Sequence, residues 1–183
     1  MGRTEVGYGG GSKDSPTYHD LGSHAEVLQI EFDPKVIAFD DLLERFWSGH
    51  DPRRRDRSSQ YRAILLCEDD DQFARVNRRI ERMESSGLGA VGTEVTLGKP
   101  FYPAEGYHQK WKLRQKRELF AALARDYESE AELLRSRAAT KLNALVAGHL
   151  TAAQLERELG QLGLSNEAMV ALHPHLPRRL RAG

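Results

Sequence analysis

Residues 6–27 read VGYGGGSKDSPTYHDLGSHAEV, and the organisation of the chain follows from them. The glycine run lets the backbone take positive φ and come close to another group. Ser15-Pro16-Thr17 has the composition of a turn, with proline fixing φ. From Glu26 the pattern becomes Glu-Val-Leu-Gln-Ile-Glu-Phe, which predicts a half-buried strand over 26–32 with Glu26, Leu28, Ile30 and Phe32 on one face. A carboxyl opening the apolar face of a strand is a candidate general acid, because desolvation raises its pKa. The alternative is a polar hairpin in which Glu26 only ends a strand.

Composition narrows the class. A chain of 183 residues suits one domain, or one domain with a helical appendage. The 27 basic and 27 acidic residues cancel, which argues against a bulk nucleic-acid or membrane partner. No apolar run reaches transmembrane length, and the first residues lack a signal-peptide core. The single cysteine, Cys67, excludes an internal disulfide and a cysteine-based zinc site and suits a reducing, cytoplasmic compartment.

Along the chain, 4–8 reads as the end of a strand. Phe39, Leu42, Leu43, Phe46 and Trp47 recur at helical spacing, and His50-Asp51-Pro52 stops that helix. RRRDRSSQY, residues 53–61, is a basic loop with one acid, Asp56. It is either a solvated loop or a place where arginines hold Asp56 near a site. RAILLC, 62–67, is a short apolar strand. A helix is expected over 69–86 with Gly87 beyond its end, and a strand over 93–97. KPFYPAEGYHQ, 99–109, reads as a rigid covering loop. Helices are expected over 113–127, 131–146 and 151–162. Thr151 and Gln154 form a capping-box pattern, Gly163 closes that helix, and Ser165 caps a short final one.

Taken together, VGYGGG…PTY…HAEV, FDP…FW..HDP, RSSQYRA and PFYPAEGYHQ resemble the peptide methionine sulfoxide reductase A family, in the family's order, over residues 5–115. The resemblance implies an α+β fold, a two-layer α/β sandwich with a mixed sheet packed against helices. The reductase-like domain would occupy 1–118 and a helical C-terminal extension 119–183. It implies thiol-based reduction of methionine S-sulfoxide, free or in proteins, with no metal or organic cofactor, and thioredoxin or another thiol as reductant. A monomer with no nucleic-acid or membrane partner is expected. A sulfoxide sulfur yields to a thiolate only when its oxygen is protonated or strongly hydrogen-bonded. By position in the motifs, Glu26 corresponds to the family's acid, Tyr18 and Tyr61 to the tyrosines that bind the oxygen, and Asp56 to the supporting carboxylate.

The chain departs from the family at its start. The nucleophile of the family lies in a Gly-Cys-Phe-Trp segment, on the first strand and helix, upstream of the residues matching VGYGGG; here only residues 1–5 precede them. Cys67 follows an apolar strand and reads as a semi-buried structural thiol. The expectation is a truncated product or alternative start of a full reductase, with mitochondrial targeting encoded further upstream if present. The alternative is an inactive relative that binds oxidised methionine or a protein partner.

Overall fold

A computed structural model of the chain describes residues 2–55 and 58–177. In chain order the first elements are β1 (Thr4–Gly9), β2 (Ala25–Ile30), α1 (Phe39–Ser48), β3 (Ile64–Cys67), α2 (Asp70–Met83), β4 (Glu94–Leu97) and β5 (Phe101–Pro103). Then follow α3 (Trp111–Arg114), α4 (Arg117–Ala124), α5 (Glu130–Arg135), α6 (Arg137–Val146), α7 (Ala152–Leu159) and α8 (Asn166–Leu172). The chain divides into two compact units, Met1–Glu105 and Gly106–Gly183. The α+β class expected from the sequence holds.

In the first unit β1 is the central strand of an antiparallel sheet ordered β2-β1-β5, while β3 and β4 form a separate parallel pair. Tyr8 stands opposite Glu26 on one side and Tyr102 on the other. The expected covering loop at 99–109 therefore begins with a strand, whose Pro103 is tolerated because β5 lies at the sheet edge. The glycines after Val6 make room for neighbouring side chains. A Cβ on Gly9 would lie 2.3 Å from Leu66 Cδ1, and one on Gly10, at φ 76°, 2.3 Å from Ile64 Cδ1.

Helix α1 has Asp40 and Asp41 in its first turn, where their charge complements the positive end of the dipole, and it buries Leu43 and Trp47. Helix α2 starts at Asp69, whose Oδ1 accepts from the Gln72 N–H at 2.8 Å. These two helices and β3 share a core of Leu43, Trp47, Cys67 and Val76, with Phe39, Phe46, Phe73 and Ile80 at its margin. The turn at Glu84–Leu88 contains Gly87 at φ 91°, as a residue ending a helix requires.

The second unit is helical and built on leucine and alanine: Leu113, Leu119, Leu123, Leu133, Leu142 and Leu172 are all fully buried. Four helices carry hydroxyl N-caps, at Ser129, Ser136, Thr151 and Ser165. The Thr151–Gln154 box forms as expected, with the Thr151 N–H donating to Gln154 Oε1 at 2.9 Å. Helix α7 ends at Leu159 with Gly160 as its cap, so Gly163, at φ 65°, lies in the following turn. Among the described residues no helix is long and apolar enough to cross a membrane.

One ion pair in this unit sets a pH dependence. Lys141 Nζ donates to Glu158 Oε1 at 2.8 Å and stands 2.6 Å from Oε2, joining α6 to α7. Burial raises the Glu158 pKa, but the Lys141 ammonium, helped by Arg137, holds it below the usual value on balance. A depressed folded-state pKa gives stability that is present above the unfolded value, about 4.3, and lost as pH falls through the lower folded one. Glu158→Gln should therefore flatten the acid limb of stability against pH, followed by helical circular dichroism in urea. An unchanged slope below about pH 4 would mean the pair does not govern it.

Candidate functional site

The loop 10–24 between β1 and β2 carries Tyr18 and is tied down from several sides. His24 is buried; its Nδ1 accepts from the Gly11 N–H at 3.1 Å and its Nε2 donates to the Lys13 carbonyl at 2.8 Å, which assigns the proton to Nε2. The His24 ring meets Tyr102 edge-on, with centroids 5.4 Å apart. The Ser12 N–H donates to Ser23 Oγ, and Lys13 pairs with Asp20. Thr17 and Asp20 exchange backbone hydrogen bonds and close the tip on either side of Tyr18 and His19.

Glu105, just past β5, reaches this tip. Its Oε2 accepts from the Tyr8 hydroxyl at 2.6 Å, and its Oε1 accepts from the Tyr18 backbone N–H at 3.0 Å. Tyr8 is buried and stands opposite Glu26 in the β1–β2 register. Glu26 in turn is bound to the segment before β3. Its N–H donates to the Gln60 carbonyl at 2.9 Å, and the Gln60 side-chain amide donates to Glu26 Oε1 at 2.7 Å. Tyr61 follows directly. Arg62 braces the same region by donating to the carbonyls of Gly10, Ser23 and Ser59 and to Glu94 Oε2.

Glu105 thus ties the Tyr8 side chain to the Tyr18 backbone, and Glu26, opposite Tyr8 in the register, is bound to Gln60, the sequence neighbour of Tyr61. Asp56 lies outside the described residues. Burial at Glu26 differs from the expectation: it is exposed, as is Leu28 (55%) on the same side of β2. Alternation in 26–32 identifies which side chains share a face, but not that the face is covered. Tyr18 (39% exposed) and Tyr61 (61%) also present their rings to solvent. Glu105 and Gln60 are supports that sequence reasoning missed; their positions in PAEGYHQ and SQYR were visible, but their partners are far away in the chain.

Cys67, the only cysteine of the 183 residues, is buried at the end of β3 in the α1–α2 core. Burial pushes its thiol pKa up, and the nearby Asp69 carboxylate adds to the shift. Both effects suppress the thiolate that a nucleophile needs. No cluster of three or more His, Cys, Asp or Glu suited to a metal ion occurs among the described residues.

Comparison with known proteins gives this arrangement a context. The family model for peptide methionine sulfoxide reductase matches residues 1–141. A peptide methionine sulfoxide reductase of Drosophila melanogaster is 38% identical over 169 residues, covering 89% of this chain and 66% of its own length. Peptide methionine sulfoxide reductase A5 of Oryza sativa subsp. japonica is 39% identical over 152 residues, covering 79% and 59%. The crystal structure of Mxr1 from Saccharomyces cerevisiae in reduced form matches with a TM-score of 0.54 at 30% identity, over 63% of this chain and 71% of that one. The chain belongs to the peptide methionine sulfoxide reductase family. It spans 66% and 59% of the lengths of the fly and rice relatives. Because the fly alignment covers 89% of this chain, it extends past residue 141 into the C-terminal helices.

Proposed function

We propose that this chain supplies the sulfoxide-binding and proton-donating part of a peptide-methionine (S)-S-oxide reductase. That enzyme reduces methionine S-sulfoxide, free or in proteins, to methionine by a thiol mechanism. The observation that carries the reading is the paired hydrogen bonding of Glu26 with Gln60, the residue that precedes Tyr61 in sequence. In this reading Tyr18 and Tyr61 donate to the sulfoxide oxygen, and Glu26 delivers a proton to it as charge builds there. Asp56 supports that network. A thiolate attacks the sulfur, takes the oxygen as a sulfenic acid and releases methionine; a second thiol then displaces water to form a disulfide, which thioredoxin or another thiol reduces back to two thiols. The protein works as a monomer in the cytoplasm, a compartment that the single free thiol suits.

A second reading has its own support. The one thiol of these 183 residues is buried and its pKa raised, so on their own they bind oxidised methionine without reducing it. Both readings are tested together. Calorimetric titration of the 183-residue chain with N-acetylmethionine (S)-S-oxide should show binding that is weaker for the R epimer and lost in the Tyr18→Phe/Tyr61→Phe double variant. Equal affinity for the two epimers would sink the site assignment. With dithiothreitol the chain should reduce the S-sulfoxide no faster than buffer does. Turnover abolished by Cys67→Ser would instead make Cys67 the nucleophile.

A further inference from the structure

We infer that Glu105 is the positioning residue for Tyr18, acting through a carboxylate shared between the Tyr8 hydroxyl and the Tyr18 backbone N–H. The role of Tyr18 toward a sulfoxide rests on the reading above; the positioning does not. Glu105 is well placed to act as a fixed point. The residue before it, Ala104, is buried, and its N–H donates to the Val6 carbonyl at 3.0 Å, so Glu105 is launched from the sheet itself. Its Oε2 is held by Tyr8, which is 2% exposed and anchored in the central strand. The remaining oxygen then reaches across to the loop tip and takes the Tyr18 N–H at 3.0 Å.

The Thr17–Asp20 exchange and the Lys13–Asp20 pair close the tip on itself, and the Tyr102 hydroxyl, 3.5 Å from Asp14 Oδ1, ties the start of the loop to β5. Glu105 adds a tether from the end of β5 to the Tyr18 backbone. Tyr8 stands opposite Glu26 in the register, so the same carboxylate ties the placement of Tyr18 to the strand position that carries the candidate acid. Tyr8 and Tyr18 are 97 and 87 residues from Glu105 in sequence, a separation at which only the folded sheet brings them together.

The test compares Glu105→Ala with Glu105→Gln in the full 183-residue chain. Glutamine is the conservative rescue, since its Oε1 can still accept from the Tyr18 N–H while its amide donates to the Tyr8 oxygen. Amide hydrogen exchange by NMR reads the tether. In Glu105→Ala the Tyr18 amide should exchange about tenfold faster, the loss of one hydrogen bond to a charged acceptor. The β1 amides of Val6 and Tyr8 should stay within about twofold, and Glu105→Gln should restore Tyr18 to near the wild-type rate. Affinity for N-acetylmethionine (S)-S-oxide should fall by about tenfold in the alanine variant and recover in the glutamine one.

A Tyr18 amide unchanged in Glu105→Ala would overturn the inference. So would acceleration shared equally by the β1 amides, which marks general loosening, or failure of glutamine to restore the Tyr18 rate. If the wild-type chain does not bind the sulfoxide, the proposed function fails, while the exchange result still decides the role of Glu105.

Discussion

Leu142→Ala is expected to lower the stability of the helical unit by about 3 kcal/mol. Leu142 is fully buried in α6 and belongs to the cluster formed with Leu113, Leu119, Leu123, Leu133 and Leu172. Removing three carbons there loses their transfer free energy and leaves a cavity. Rigid helices on several sides close that cavity only partly. The urea midpoint of the helical signal at 222 nm should fall by about 1–2 M. Leu142→Met, which keeps the volume, should cost less than about 1.5 kcal/mol. A loss below about 1 kcal/mol in the alanine variant would mean the site collapses freely and the leucine cluster is not tightly interlocked.

The second large effect is expected at Arg62. Its side chain is only 17% exposed and donates at 2.9 Å to the Ser23 carbonyl, 2.7 Å to Ser59, 3.3 Å to Gly10 and 2.8 Å to Glu94 Oε2. The Glu94 end is 44% exposed, so solvent screening limits that ion pair to about 1 kcal/mol or less. The carbonyl bonds carry the rest, and Arg62→Ala should cost the first unit about 3 kcal/mol in total. Lysine, a single-point donor, cannot span three carbonyls and a carboxylate, so Arg62→Lys should recover only a minor part. Trp47 emission reports this unit, since Trp47 is buried while Trp111 is 53% exposed and barely changes on unfolding. Equal stability of the lysine variant and wild type would show that charge alone, not the fork of donors, holds the loops.

How much of this was legible in the sequence depended on the distance over which the signal acts. Helix α1 was readable because Leu43 and Trp47 recur at a helical period, and α7 because Thr151 and Gln154 form a local box. The helix read over 131–146 is in fact two, α5 and α6, divided at Ser136. Its extended backbone, φ −73° and ψ 155°, lets its hydroxyl cap α6 by accepting from the Ala139 N–H at 3.0 Å. That serine was a visible cap signal in the middle of an apolar period. Strand β5 was not readable: its three residues are defined by pairing with β1 across most of the first unit, and its proline argued against it.

The candidate site divides in the same way. Tyr18, Glu26 and Tyr61 were named from motifs, whereas Glu105 and Arg62 became visible only when the sheet brought distant segments together. The exposure of Glu26 shows the limit of periodicity: alternation assigns a residue to a face but leaves open what, if anything, lies over that face.

The glycine-rich opening has a consequence for how this chain can change over evolutionary time. Gly7 faces the Tyr102 carbonyl, which a Cβ would approach to 2.3 Å, and a backbone atom cannot step aside. Gly9 instead faces the tip of Leu66, which can be shortened, whereas Gly10, at φ 76°, is held by its backbone as well as by the Ile64 tip. Drift should therefore be forbidden at positions 7 and 10 and coupled at position 9, with a larger residue there accompanied by a smaller one at 66. Constancy of the glycines among relatives would then record the fit between β1 and the strand beside it, and would carry no information about chemistry.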